Sequence, residues 1–316
     1  MARTQPPFAA TVSAEAQKAM APMLSGAGGP EAAVSLLRNP LTRGATRLAV
    51  TQQWKPIAKA RTARFGVAVS KGRIAGVPVK HLRKVGIDAE ADRRLLINFH
   101  GGGFLFDGGS LSETIPLAGL TGIPAMTVFY RMAPEHPFPA AVDDALGVYR
   151  AVLEQRPASA IGVFGTSAGA VLTLQLLVRI KAEGLPMPGA AGVFSGAGDL
   201  EIVGDCEAFL PPIIGTRTAA ETLKEYCGDT ALGDPLLSPT RGDLTGLPPV
   251  MLMTSTRDQL LSHTILADLA LRRAGVPVDL RVYEGLAHAF WGWIECPESE
   301  VALAAQADFF VKHLER

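Results

Sequence analysis

Charge is scarce in this chain and of neither sign in excess. Charged residues are 19% of its 316 residues, and 30 basic residues face 30 acidic ones. An average soluble protein carries about 25%. With no cluster of lysine and arginine, a nucleic-acid or other polyanionic partner is not expected. Long apolar runs are missing too. No stretch approaches the roughly 20 residues of a membrane span. The opening "MARTQPPFAATVSAEAQKAM" holds no apolar run of signal-peptide length. A cytoplasmic protein that does not engage a membrane is the expectation. Cysteine is rare: Cys206, Cys227 and Cys296. An odd count without a secretion signal predicts reduced thiols acting as small buried residues, not a disulfide framework. There is no CxxC, HExxH or GxGxxG, and no phosphate-loop lysine. No metal and no organic cofactor is therefore expected. Internal repeats and low-complexity tracts are absent as well.

What is present is apolar material in short, regular pieces. Hydrophobic residues make up 48% of the chain, enough for one large core. Residues 1–60 carry apolar positions at helical spacing with Pro and Gly breaks, and predict a helical segment packed on another unit. From about residue 63 the texture changes. "ARFGVAVS" and "IAGVPVKHL" alternate as half-buried strands do. "RLLINFH", "IPAMTVFY", "AIGVF", "GAAGVFS", "PPVMLMTS" and "VDLRVYE" read as further strands. Helical patterns near 139–155, 168–183, 262–274 and 299–314 lie between them. This alternation predicts an α/β fold with a mainly parallel sheet and helices on both faces. Residues 198–245 interrupt it, with helical material around 216–227. An excursion of that length suggests a lid or cap.

The chemistry centres on "FGTSAGAVL". Gly165-Thr166-Ser167-Ala168-Gly169 stands between a strand and a helix and matches G-x-S-x-G, the nucleophile elbow. So sharp a turn demands small neighbours. It lifts the Ser167 hydroxyl beyond the carboxyl edge of the sheet, where open α/β sheets bind ligands. The same serine could simply cap the helix. A serine nucleophile needs a base, and the base an orienting acid. Of six histidines, only His263, His288 and His313 follow Ser167, and in this fold the order is serine, acid, histidine. His288, in the loop after "VDLRVYE", is the favoured base. Asp258, after "VMLMTSTR", is the favoured acid, ahead of Glu284 and Asp243. For the oxyanion, "NFHGGGF" offers the backbone of Gly101, Gly102 and Gly103 after a strand, and Ala168 N–H adds a donor. Phe104 and Phe106 are expected to line the acyl pocket.

In order, "HGGGF", "YRMAPEHPFPAAVDD", "GTSAG", "DPLLSP", "RDQLL" and "HAF" resemble the bacterial hormone-sensitive-lipase family of α/β-hydrolase esterases over roughly residues 63–316. The resemblance implies an α/β-hydrolase domain at 61–316. It implies a helical cap made from residues 1–60 and the excursion near 198–230. It also implies Ser167 as nucleophile, Asp258 as acid, His288 as base, and an oxyanion hole from the glycines and Ala168. Two positions depart from it: Thr166 stands where many members have Asp, as in the GTSAG subgroup, and Ser255 where many have Gly. Arg131, Glu135 and Asp143 are expected to brace the glycine loop through hydrogen bonds.

The expected reaction is hydrolysis of an ester through an acyl-enzyme, with a small-molecule ester as the partner; the resemblance implies short to medium acyl chains. The same site suits a lactone or an aryl amide. A binding protein on a retired hydrolase scaffold is a third reading, disfavoured because His288 is retained. The last helix and edge strand leave room for a homodimer.

Overall fold

The computed structural model describes residues 8–24, 35–88, 92–210 and 219–315. Eight strands form one sheet in the order β1-β2-β4-β3-β5-β6-β7-β8. They are β1 (Val67–Ile74), β2 (Val77–Lys84), β3 (Leu95–Phe99), β4 (Ala125–Val128), β5 (Ile161–Thr166), β6 (Ala190–Phe194), β7 (Val250–Arg257) and β8 (Val278–Ala287). β2 pairs antiparallel with β1 and β4, and all other neighbours are parallel. The continuous apolar runs became the strands covered on both faces. Every residue of β3, β4, β5 and β6 is buried.

Helices α1 (Ala14–Leu24), α2 (Pro40–Phe65), α3 (Ser110–Thr121), α4 (Ala140–Leu153) and α5 (Ala168–Ala182) precede the excursion. Within it lie the short α6 (Asp205–Phe209), α7 (Ala219–Thr222) and α8 (Lys224–Cys227). Then come α9 (Leu261–Arg273), α10 (Phe290–Trp293) and α11 (Pro297–His313). α4, α5 and α9 supply the apolar layer on one face of the sheet, and α1, α3, α10 and α11 that on the other. No helix among the described residues is long and apolar enough to cross a membrane. The three cysteines are buried and free. Parts of the predicted N-terminal segment and of the excursion, at 25–34 and 211–218, lie outside the described residues.

α3 is an element that periodicity missed. Pro116 lies inside it, and an internal proline normally ends a helix because it has no N–H. Here the carbonyl of Ser112, four residues back, accepts the guanidinium of Arg61 instead. Arg61 reaches in from α2, is 2% exposed, and also pairs with Glu295 at 2.8 Å.

The bracing of the glycine loop also differs from expectation. Arg131 pairs with Asp144 at 2.9 Å, and Asp143 faces Arg179 at 3.9 Å, both on the surface. Neither reaches the loop. The brace is Arg47 of α2. Its Nε donates to the Leu105 carbonyl at 2.6 Å and its Nη2 to the Ala133 carbonyl at 2.7 Å. Glu135 acts one step removed, gripping Arg47 at 2.9 Å and Arg43 at 2.8 Å. Burial works to raise the Glu135 carboxyl, but the two guanidinium groups overcome it and hold the pKa at about 2. Sequence spacing could not reveal a partner 88 residues away. The chain just before α2 ties to the excursion, since Arg38 pairs with Glu225 of α8 at 2.6 Å.

Arg47→Met removes two charge-assisted bonds to carbonyls and should destabilise by about 1.5–3 kcal/mol. Arg131→Ala removes an exposed pair and should cost less than about 1 kcal/mol. Urea unfolding of both variants checks the contrast.

Candidate active site

Four parallel strands of the sheet, β3, β5, β7 and β8, deliver the predicted residues to one edge. β3 ends at Phe99, directly before His100 and the glycines. β5 ends at Thr166 and α5 begins at Ala168, so Ser167 alone makes the turn. β7 leads to Asp258, and β8 ends at Ala287, one residue before His288.

Ser167 has φ 59° and ψ −120°, a conformation L-residues seldom adopt. Its N–H donates to the Phe194 carbonyl at the end of β6, at 2.9 Å. The flanking glycines are required by space. A Cβ on Gly169 would lie 1.9 Å from the Phe99 carbonyl oxygen, and one on Gly165 would lie 2.4 Å from Gly169. On Gly101 it would meet the Thr166 carbonyl at 2.8 Å, with Ser167 Cβ at 3.4 Å. The elbow and the glycine loop are therefore in backbone contact.

Asp258 is fully buried. Its Oδ1 lies 2.8 Å from Nδ1 of His288 and accepts the Leu260 N–H at 2.9 Å. Its Oδ2 accepts from Thr254 Oγ1 at 3.2 Å, and the Ser195 hydroxyl lies beside it. Burial alone would raise this carboxyl. The charge and hydrogen bond of His288 outweigh it and hold the pKa below the ordinary value. Ser255 closes the strands that carry this pair, its Oγ donating to the Leu286 carbonyl at 2.6 Å. The His288 carbonyl accepts from Trp293 Nε1 at 3.0 Å. The structure thus brings Asp258 and His288 together. The Ser167 hydroxyl makes no hydrogen bond to His288 among the described residues.

The other titratable candidates lie elsewhere. His263 is buried against Glu207 of the excursion at 3.0 Å. His313 ends α11, its ring 4.7 Å from that of Phe309. Asp243 pairs with Lys181 at 2.6 Å, and Glu284 accepts from Thr256 at 3.3 Å.

In the glycine loop, Gly102 and Gly103 have φ 108° and 61°. Their N–H groups make no hydrogen bond among the described residues. Ala168 opens α5, so its N–H has no acceptor within the helix. These are unspent donors beside Ser167. Residues missed by sequence hold the loop in place. Tyr130 Oη donates to the His100 carbonyl at 2.6 Å, and Ala133 N–H to the Phe104 carbonyl at 2.9 Å. Phe104 departs from its expected role. It is fully buried and stacks on Tyr226 with ring centres 3.5 Å apart, so it is core. Phe106 is half-buried.

The order of parallel strands, a strained serine between β5 and α5, and an Asp–His pair after β7 and β8 meet a family model described as alpha/beta hydrolase fold, matched over residues 96–292. The chain belongs to that family. It is 31% identical over 229 residues to an acetyl-hydrolase of Streptomyces hygroscopicus, covering 70% of this chain and 76% of the relative. To an esterase of Acinetobacter venetianus it is 32% identical over 251 residues, covering 75% and 80%. Among solved structures, an esterase called E25 superposes with TM-score 0.83 at 32% identity, covering 98% of this chain and 97% of that one. A hormone-sensitive lipase from a metagenome library gives TM-score 0.75 at 28% identity, covering 84% and 92%. The resemblance to bacterial hormone-sensitive-lipase esterases therefore holds for the chain as a whole, not only for its motifs.

Gly169→Ala should cost more than about 3 kcal/mol, since its clash is with backbone that has no room to shift. Gly184→Ala, where a Cβ meets nothing within 4 Å but φ is +64°, should cost about 1 kcal/mol. Thermal unfolding of the two variants checks the difference.

Proposed function

We propose that this chain hydrolyses carboxylic esters of short to medium acyl chains by way of an acyl-enzyme on Ser167. The observation that carries the reading is the buried Asp258 bonded to His288 Nδ1 at 2.8 Å, on the same sheet edge as the strained Ser167. That bond fixes the imidazole with Nε2 free to take a proton.

His288 Nε2 takes the Ser167 proton as Oγ attacks the ester carbonyl carbon. The carbonyl π pair moves onto oxygen, and the N–H groups of Gly102, Gly103 and Ala168 receive that oxyanion. As the tetrahedral centre collapses, the C–O bond to the alcohol breaks. The proton on His288 passes to the leaving oxygen. Water, deprotonated by the same nitrogen, then attacks the acyl carbon and releases the acid and Ser167. Asp258 stays anionic throughout and steadies the imidazolium. Phe106 lines the acyl side in this reading. The cap is formed by the N-terminal helices and the excursion, whose Arg38–Glu225 pair supports their joining. A cytoplasmic protein, dimeric across the exposed edge strand β8, completes the proposal.

Hydrolysis of p-nitrophenyl esters from acetyl to long-chain acyl tests it. Activity is expected to be highest on short chains and to vanish in Ser167→Ala. Activity that survives the substitution contradicts the assignment of the nucleophile. Asp258→Asn should keep the fold yet lower kcat on the acetyl ester by about 10⁴-fold, since the amide favours the wrong tautomer of His288.

A further inference from the structure

Beneath the elbow lies a polar cluster with no part in the reaction above. Glu113 of α3 is 5% exposed, and its carboxyl faces the Thr166 hydroxyl and the Asn98 side chain. Thr166 directly precedes Ser167, and Asn98 is the second residue before His100 and the glycine loop. Both are buried, and Asn98 Oδ1 accepts from Thr127 Oγ1 at 2.9 Å. Asn98 Nδ2, Thr166 Oγ1 and Glu113 Oε2 are buried without a well-formed hydrogen bond. On its far side, Glu113 Oε1 would lie 3.6 Å from a Cβ on Gly292, in the short helix that follows His288. One carboxyl therefore borders the segments that carry Ser167, the glycine loop and His288.

We propose that Glu113 is a positioning residue for the ester hydrolysis proposed above, and rests on that reading: as a neutral acid set between Thr166 and Asn98 it holds the elbow and the glycine loop in register, and its ionisation displaces them. A neutral carboxylic acid offers one donor and one carbonyl acceptor, which suits a hydroxyl and an amide on either side. A carboxylate would present two acceptors and a bare charge to an interior made of Thr166, Asn98 and apolar neighbours.

The charged and titratable groups around the carboxyl are consistent with the neutral form. Burial pushes Glu113 up to about 8, and Asp107 of the glycine loop acts in the same direction. Thr166, Asn98 and Arg61 of α2 pull the other way. The Arg61 guanidinium is already committed to the Ser112 carbonyl and to Glu295. Tyr130, after β4, is itself pushed well above its ordinary value by burial and stays a neutral phenol.

The test follows kcat and KM for p-nitrophenyl acetate from pH 6 to about 9.5, with the uncatalysed rate subtracted, in wild type and Glu113→Gln. Wild-type kcat should fall above pH about 8, approaching tenfold per unit, while KM changes little. Glu113→Gln, which cannot ionise, should hold its own plateau to the highest pH. A wild-type kcat that stays level to pH 9.5, or a variant that declines along the same limb, overturns the proposal. A second readout needs no turnover. A carboxyl neutral when folded and ionised when unfolded binds more protons in the native state, so its share of stability is whole below about pH 4.5 and is lost as pH rises to about 8. Wild type should therefore lose melting temperature relative to Glu113→Gln across that window, and the gap should then level off. Parallel melting curves overturn the neutral carboxyl even if ester hydrolysis is confirmed. Lack of ester hydrolysis at every pH strikes the reaction instead and leaves the melting curves to decide on Glu113.

Discussion

The carbonyl oxygen of Phe99 lies where a side chain on residue 169 would begin, 1.9 Å from that Cβ position. This close approach of α5 to the end of β3 is the constraint on which the rest of the site depends. It forces glycine at 169, and the same crowding forces glycine at 165. With those residues bare, the chain can reverse from strand to helix through a single strained serine. The reversal sets the first N–H of α5 next to the glycine loop, so nucleophile and oxyanion donors share one backbone contact. The strain at Ser167 is offset by the burial of nearly all of α5 against the sheet.

Around that contact, long-range polar ties hold segments that would otherwise be loose. Arg47 fastens the glycine loop to α2, and Tyr130 fastens it to the segment that follows β4. Ser255 joins the strand that leads to Asp258 with the strand that leads to His288. Arg61 lets α3 pass through a proline. Each tie donates to a backbone carbonyl, and this gives it leverage on a site it never touches.

Elements with a strong period were legible in the sequence. The four predicted helical stretches and the six predicted strands appear within a few residues of their expected bounds; the central strands, buried on both faces, leave a continuous apolar signature, while the edge strand β8 carries the alternation of a half-buried one. The order of serine, acid and histidine was legible because each stands where a strand ends. α3 was not, since Pro116 masks its pattern and the compensating Arg61 is 51 residues earlier. Of Arg131, Glu135 and Asp143, the residues expected to brace the glycine loop, only Glu135 contributes, through its grip on Arg47, whose contacts to the loop no local pattern encodes. Phe104, expected in the acyl pocket, is not legible as core from its place in the sequence. Its backbone, at φ 59°, turns the ring into the core against Tyr226. Glu113 gave no signal, because a single acidic residue in an apolar helix reads as surface until its neighbours are known.

Everything in the proposed reaction turns on Ser167 Oγ being the nucleophile that carries the acyl group. The most direct measurement is reaction of the folded protein with a fluorophosphonate, followed by mass spectrometry of its peptides. One adduct is expected, on Ser167, and its formation should abolish ester hydrolysis in proportion to labelling. An adduct on any other residue, or full ester hydrolysis by a protein labelled at Ser167, contradicts it.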